Sequence, residues 1–237
     1  MSSTATISTA NLLDDINIDI DHIDIPVNKD DDDEEFMRID PDPDMFGLIN
    51  YNPWIMEKRA KYDDDAVLCY VKKHPRSVRA LYQFNKKFRG TFKRFPLNRI
   101  ISLGASLQTI KEVFKAHPPA LYRQNHYRST CLHSACNFPT DHQERIIKFL
   151  LKKYPESIQR TNKNGFLPIH NACYATIPGT TSLPVIQLLI EAYPKAISKI
   201  NKLGETPLKA AQCNLICRNA VLKYLEKIHI QQQIDQK

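Results

Sequence analysis

The sequence predicts an all-α fold, in which about five helix pairs form a stack with projecting hairpin fingers. Two recurring patterns carry this prediction. A His or Tyr followed by proline occurs four times, ending at Pro75, Pro118, Pro155 and Pro194. A short apolar anchor precedes each of these prolines, and a fifth anchor follows the last of them.

Apolar residues at four offsets before each proline predict an amphipathic helix. Before Pro155 these positions are held by Ile147, Leu150, Leu151 and Tyr154. Spacings of i, i+3, i+4 and i+7 place such residues on one helical face. Proline cannot continue a helix and moves the preceding residue out of the α region, so each helix should end there. Residues 221–228 repeat the offsets without a proline, which predicts a fifth helix of this kind.

The anchors divide the chain into five units. They are Pro53-Trp54, Pro96-Leu97, Cys131-Leu132, Pro168-Ile169 and Pro207-Leu208. The predicted domain covers residues 46–237, with units near 52–78, 96–121, 131–158, 168–197 and 207–230. One helix pair cannot bury its own apolar stripe, so the core must come from the packing of successive units.

Residues 1–45 form a predicted disordered acidic tail. They contain fourteen Asp or Glu and two Lys or Arg, a formal charge of −12, whereas residues 46–237 carry +19. Such a composition buries too little apolar surface to offset chain entropy. The alternation of Ile16, Ile18 and Ile20 with polar residues leaves open a strand that adds to a partner's sheet.

Three segments resemble the Thr-Pro-Leu-His-x-Ala signature of the ankyrin-repeat family: Thr130–Ala135 (TCLHSA), Leu167–Ala172 (LPIHNA) and Thr206–Ala211 (TPLKAA). The segments 162–165 (NKNG) and 201–204 (NKLG) resemble the turn that precedes it. The repeats are long, 35, 37 and 39 residues between anchors from Leu97 to Leu208, against about 33 in the family. The resemblance covers residues 52–230 and implies an ankyrin-like helical repeat solenoid.

Several residues suit such turns and helix starts. An Asx turn fits seven residues before each of three anchors, at Asn125, Asn162 and Asn201. Gly165 and Gly204 permit a positive φ in these turns. Thr206 can cap its helix, and Thr140 with Gln143 matches a capping box for the helix that follows.

The ankyrin resemblance implies a non-catalytic adaptor or scaffold that binds another protein as a monomer. Ankyrin partners contact the finger tips and the exposed face of the first helices, an analogy at the level of the fold. By position these contact residues are His126, Tyr127, Ser129, Ser134, Lys163, Asn164, Phe166, Asn171, Lys202, Leu203 and Glu205.

The segment from Ala66 to Lys111 contains eleven Lys or Arg and no acidic residue. One hypothesis is a surface for nucleic acid or another polyanion, formed by Lys86, Lys87, Arg89, Lys93, Arg94 and Arg99. The other is a long finger whose aromatic residues pack on the stack while its bases stay in solvent. In the first hypothesis the acidic tail can mask the segment, an effect that salt would weaken.

Two His-x-x-Cys pairs, His133 with Cys136 and His170 with Cys173, supply four candidate zinc ligands. The repeat explains them without a metal, because in ankyrin repeats this histidine links neighbouring turns and this cysteine is a small core residue. We therefore predict neither a metal nor a cofactor. No Gly-x-Ser-x-Gly, Gly-rich phosphate loop or His-Glu-x-x-His motif is present, which argues against an enzyme.

The apolar runs are too short to span a bilayer, and no basic region followed by an apolar core opens the chain. The six cysteines lie in apolar segments, which fits buried, reduced thiols. The predicted location is the cytoplasm, with the nucleus as the alternative.

Overall fold

The computed structural model describes residues 39–86, 90–174, 182–213 and 219–235. The predicted acidic tail up to residue 38 lies outside the described residues, as does the finger tip at residues 87–89. The described chain is predominantly helical, as the sequence predicts, and includes a two-stranded antiparallel sheet.

The helices and strands occur in the following order along the chain. They are α1 (Pro43–Ile49), α2 (Met56–Arg59), α3 (Asp64–Lys73), β1 (Tyr82–Lys86), β2 (Gly90–Arg94), α4 (Pro96–Leu103), α5 (Leu107–Ala116), α6 (Cys131–Asn137), α7 (Gln143–Lys153), α8 (Pro168–Cys173), α9 (Leu183–Ala192), α10 (Pro207–Cys213) and α11 (Asn219–Asp235). Short 3-10 turns follow α3, α5, α7 and α9 at Pro75–Arg79, Pro118–Leu121, Pro155–Gln159 and Pro194–Ser198.

The predicted helix ends are confirmed at all four prolines. The His or Tyr before each proline has a φ between −127° and −151°, which lies outside the helical region. The proline itself then begins the 3-10 turn, where its missing N–H costs nothing. Each long helix is therefore followed by a compact reversal of the chain.

Successive helix pairs are in contact along the chain. The short helix α6 contacts α4 before it and α8 after it, and α8 contacts α10. Among the long helices, α3 contacts α5 and α7 contacts α9, while Phe114 of α5 meets Phe149 of α7 edge-to-face. Val113, Leu150 and Leu189 belong to one continuous hydrophobic core, so neighbouring units cover each other's apolar stripes.

The two predicted helix caps have different outcomes. Thr206 Oγ1 accepts a hydrogen bond from Lys209 N at 3.3 Å, as predicted for the start of α10. The predicted capping box is wrong, because α7 begins after His142 and no side chain caps it. Gln143 Nε2 instead donates to Ala135 O at 2.8 Å, which joins α7 to α6.

The N-terminal boundary differs from the prediction. Residues assigned to the tail as far as residue 45 include the start of α1, whose Asp42 cap accepts from Asp44 N and Met45 N. Met45 and Ile49 are fully buried, and α1 contacts α3 and α4. The predicted first unit is also wrong in detail: Trp54 is 47% exposed and α2 buries no residue. Helix α1 packs in the place expected for α2.

The all-α prediction is wrong at the finger between α3 and α4, where β1 and β2 form a hairpin with Tyr82 opposite Arg94. Alternate residues of the hairpin face the core, so Tyr82, Phe84 and Phe92 are buried. The expected packing of finger aromatics on the stack is therefore confirmed for these residues and for Phe95. Phe88 lies outside the described residues.

Across the described ranges, none of the helices combines the length and apolar character required to cross a bilayer.

Candidate partner-binding groove

Three similar turns form the predicted finger tips. They begin at Asn125, Asn162 and Asn201, and each Asn Oδ1 accepts from the backbone N–H groups two and four residues ahead at 2.8–3.1 Å. The residue three positions after the Asn has a positive φ, 56° at Arg128, 74° at Gly165 and 75° at Gly204. The predicted Asx turns are confirmed. Arg128 was not expected in a conformation that favours glycine.

Neighbouring turns are joined by backbone hydrogen bonds. Lys163 N donates to Tyr127 O at 2.8 Å, and Lys202 N donates to Asn164 O at 3.0 Å. Both bonds connect equivalent positions, so the three turns form one continuous edge. Gly165 lies at this junction, where an added Cβ would be 2.9 Å from Lys202 N.

Two buried histidines connect each helix start to the next turn. His133 Nδ1 accepts from Thr130 N at 3.2 Å, and His133 Nε2 lies 2.9 Å from Phe166 O. His170 repeats this arrangement, with Leu167 N at 3.1 Å from Nδ1 and Glu205 O at 3.1 Å from Nε2. Because Nδ1 accepts a backbone N–H, the ring proton must lie on Nε2, which donates to the carbonyl.

Both histidines are held in their neutral form. Burial lowers the pKa of His133 to about 4 and also lowers the pKa of His170. Protonation would place a second proton on Nδ1, directly facing a backbone N–H. The neutral ring is therefore part of the folded structure at pH 7.

A groove of about 300 Å³, the partner groove, lies between these turns and the short helices α6 and α8. Seven of the eleven contact residues predicted from the sequence line it: Tyr127, Ser129, Ser134, Lys163, Asn164, Phe166 and Asn171. Lys163 and Asn164 are exposed, whereas Ser134 is 5% exposed. The structure thus brings together residues from two turns and two helices that are separated along the chain.

Trp54 is a groove residue that was not predicted from the sequence. Trp54 lines the partner groove and packs edge-on against Phe138, with ring centroids 4.7 Å apart. Arg59 supports the segment that carries it by donating to Leu103 O at 3.2 Å and Pro139 O at 2.9 Å. The pair Pro53-Trp54 matches the sequence pattern of the buried anchors, so the exposure of Trp54 was not predicted.

The other four predicted contact residues lie outside the partner groove. His126 stacks on Phe92, with ring centroids 4.8 Å apart, and lines a neighbouring pocket. Lys202 and Leu203 are exposed on the third turn, and Leu203 is 67% exposed. Glu205 accepts from Tyr174 Oη at 3.0 Å and from Asn201 Nδ2 at 2.9 Å, which gives it a role inside its own turn.

The predicted polyanion surface is wrong at two of its six residues. Arg94 and Arg99 are only 8% and 4% exposed, so they cannot contribute charge to an open surface. Arg99 Nε donates to Ile49 O at 3.0 Å, Arg99 Nη2 donates to Tyr51 O, and the guanidinium lies 4.2 Å from the centre of the Phe84 ring. Lys93 is exposed. The side chain of Lys86 and all of Lys87 and Arg89 lie outside the described residues.

The two His-x-x-Cys pairs are built into the helix packing. Both ring nitrogens of His133 and His170 are occupied by the hydrogen bonds given above. Cys136 and Cys173 are fully buried, and burial raises the pKa of the Cys136 thiol well above its usual range. In the part of the chain that the structure describes, no cluster of three or more His, Cys, Asp or Glu is arranged to hold a metal ion.

Comparison with known protein families gave no matching family model, and comparison with curated proteins gave no match either.

Proposed function

We propose that this protein is an ankyrin-type repeat adaptor or scaffold, without catalytic activity, that binds a protein partner in the partner groove. The proposal rests on one observation: seven contact residues predicted from the repeat positions, together with Trp54, line the same groove. The ordered contacts from α4 through α10 and the edge of bonded turns support an ankyrin-type stack.

The groove offers the mixture of groups that protein interfaces use. Aromatic side chains at Trp54, Tyr127 and Phe166 provide apolar area with few rotatable bonds, and aromatic anchors carry much of the binding energy at interfaces. Exposed Lys163 and Asn164 add a cation and an amide. A partner segment with an apolar side chain beside a carboxylate or carbonyl group would match this arrangement.

The test is to immobilise the full chain and compare the proteins captured from a cell extract by wild type and by the Lys163→Glu/Asn164→Ala variant. Both side chains are exposed, so the variant should fold normally. We expect specific partners to bind at least about tenfold more weakly to the variant.

Lys195→Glu is the matched control, because Lys195 is exposed in the turn after α9 and does not line the groove. It changes the net charge by the same amount as Lys163→Glu. Partners retained by the groove variant, or lost equally from both variants, would contradict the proposal.

Polyanion binding is a second candidate, favoured by the exposed bases Lys72, Lys73, Arg76, Arg79 and Lys93. Heparin retention of the full chain should then fall strongly when Lys86, Lys87 and Lys93 are changed to Glu. Reversal of Lys195, Lys199 and Lys209 gives the same net charge elsewhere and should have a smaller effect. Equal losses would show only a dependence on net charge.

Cys131, Cys136 and Cys173 are buried as expected for reduced core thiols, whereas Cys69 and Cys213 are exposed, contrary to the expectation. The buried thiols support a reducing compartment, which we propose to be the cytoplasm or the nucleus. Fluorescence imaging of the tagged full chain distinguishes these two compartments from the secretory pathway.

A further inference from the structure

A second cavity, the basic pocket, lies between strand β2 and the segment that leads from α5 into the first turn. Its volume is about 610 Å³. Its lining includes Lys93, Arg94, Arg123, Arg128 and His126, and no Asp or Glu is among the described residues that line it. Several positive charges thus converge on a concave space, which favours an anionic occupant.

Arg94 is the most unusual residue of the basic pocket. Its side chain is 8% exposed, its Nη1 donates to Asn98 Oδ1 at 3.4 Å, and its guanidinium lies 4.9 Å from the centre of the Phe92 ring. Arg94 Nε is buried and has no hydrogen-bond partner among the described residues. Burial lowers the pKa of Arg94 to about 10, so the side chain stays charged at pH 7.

A buried guanidinium is costly unless an anion compensates it, and its planar donors match a carboxylate in two-point contact. We propose that the basic pocket binds the carboxylates of an acidic chain segment and that, in this protein, this segment is the run Asp30–Glu35. The basic pocket adjoins the partner groove, because Arg94 and Asn125 line both cavities. Its occupant would regulate access by other acidic ligands.

Charge and reach both favour this occupant. Asp30–Glu35 holds six consecutive carboxylates, the densest acidic run in the chain. The described chain resumes beside the hairpin, because Asp42 N donates to Tyr82 Oη at 3.1 Å and Tyr82 pairs with Arg94 across the two strands. Six residues lie between Glu35 and Asp42, and the seven residue steps from one to the other span about 23 Å in an extended chain.

The recessed position of Arg94 favours acidic side chains over a nucleic-acid backbone. Phosphates of a duplex lie on a broad, continuous surface, and proteins usually meet them with exposed Lys and Arg. A carboxylate at the end of an Asp or Glu side chain can enter a pocket and reach a buried guanidinium. Binding of an acidic peptide therefore separates this proposal from the polyanion hypothesis.

The experiment uses the full chain with its native tail and a second form in which Asp30–Asp33 are changed to Asn and Glu34 and Glu35 to Gln. The probe is a fluorescein-labelled peptide with the sequence of residues 28–37, and binding is measured by anisotropy. The neutral-tail form should bind the peptide at least about tenfold more tightly than the native chain, because the tethered acidic run competes at high effective concentration. Added salt should weaken binding to both forms.

Arg123→Gln with Arg128→Gly, made in the neutral-tail form, should reduce peptide binding by about tenfold or more. Arg128→Gly is expected to preserve folding, because Gly165 and Gly204 occupy the position of Arg128 in the other turns. The circular dichroism spectrum and thermal midpoint of the double variant check that it folds. The matched control is Arg160→Gln with Lys195→Gln, which also removes two positive charges. Both residues are exposed, and neither lines the pocket.

Four results would overturn the proposal. Three concern the peptide: no binding by the neutral-tail form, equal binding by the native and neutral-tail forms, and an equal loss of binding in the control with Arg160→Gln and Lys195→Gln. Binding of a single-stranded oligonucleotide of equal charge with higher affinity than the peptide would also overturn it, in favour of a polyanion surface.

Discussion

The units from residue 125 to 213 and the region from residue 39 to 103 join their elements with different chemical groups. In the later units, neutral side chains repeat the same bonds: Asn within each turn and His133 or His170 between turns. In the earlier region a buried cation, Arg99, donates to Ile49 O at the end of α1 and to Tyr51 O just beyond it. Both solutions satisfy backbone groups that folding removes from water.

The difference shows which contacts recur at equivalent positions and can therefore be recognised in the sequence. The position of His133 is held by Asn98 in the preceding unit and by Lys209 in the last one. Asn98 is buried, and its Oδ1 accepts a hydrogen bond from Ser134 Oγ at 3.4 Å, whereas Lys209 is exposed. The histidine link therefore occurs at two of these four helix starts, and the other two carry other groups.

Removal of Arg99 should produce the largest effect. Arg99→Ala leaves Ile49 O and Tyr51 O without their charged donor and removes the guanidinium from the Phe84 ring. We expect the free energy of unfolding to fall by about 3 kcal/mol, measured by urea denaturation. Arg79→Ala removes an exposed arginine and should change it by less than about 0.5 kcal/mol. Equal effects of the two changes would show that the buried contacts do not stabilise this region.

The contact between turns can be tested at two glycines with nearly equal φ. Gly165→Ala places a Cβ 2.9 Å from Lys202 N, whereas a Cβ at Gly204 meets nothing within 4 Å. We expect a loss in the free energy of unfolding of about 2–3 kcal/mol for Gly165→Ala and about 1 kcal/mol for Gly204→Ala. Thermal and urea unfolding give both values. If the two losses were the same, close packing of the turns would not add to the cost of the backbone conformation.

Acid should weaken the histidine-linked units. Burial holds the pKa of His133 at about 4, below the usual 6.5, so the unfolded chain binds a proton that the folded chain excludes. Stability is therefore complete above about pH 6.5 and falls between pH 6.5 and 4, by about 1.4 kcal/mol per pH unit for this residue. Urea midpoints measured across this range give the slope.

His133→Gln should reduce that slope by about one proton, because Gln does not titrate. His142→Gln, at an exposed histidine before α7, is the control for the loss of a histidine side chain. A slope that His133→Gln leaves unchanged would contradict the assignment of the acid sensitivity to this ring.

The smallest expected effect is a gain. Arg128 has a φ of 56°, where the equivalent residues are Gly165 and Gly204. Arg128→Gly should relieve backbone strain and raise the free energy of unfolding by about 0.5 kcal/mol, after allowance for the greater freedom of glycine in the unfolded chain. Calorimetric melting would detect it. A loss of stability would show that the arginine side chain contributes more than its backbone conformation costs.

Local rules made the helix ends and the turns predictable from the sequence. Proline acts on its immediate neighbours, so the ends at Pro75, Pro118, Pro155 and Pro194 follow directly. The Asx turns depend on bonds to residues two and four positions ahead, so Asn and its spacing suffice. Seven residues that line the partner groove occupy positions that recur along the chain, so the sequence alone could single them out as candidate contacts.

Contacts that occur only once in the molecule produce no recurring pattern in the sequence. The start of α1 lies among acidic residues, and its burial depends on packing against α3 and α4. Arg94 and Arg99 were expected in solvent because isolated charges are rarely buried, and only the tertiary fold provides their acceptors. The hairpin does have a sequence signal, because Tyr82 and Phe84 alternate with polar residues in the way that indicates a strand. The all-α prediction did not use it.

The bond from Arg99 to Ile49 O joins positions fifty residues apart in the sequence. A ribosome that synthesises this chain releases the last carbonyl group of α1 long before it releases the side chain that will bind it. Helix α1 therefore completes its hydrogen bonding only after the hairpin and α4 have emerged. A nascent chain stalled before Arg99 should leave α1 open to proteolysis, and one stalled well beyond it should protect the same peptide bonds.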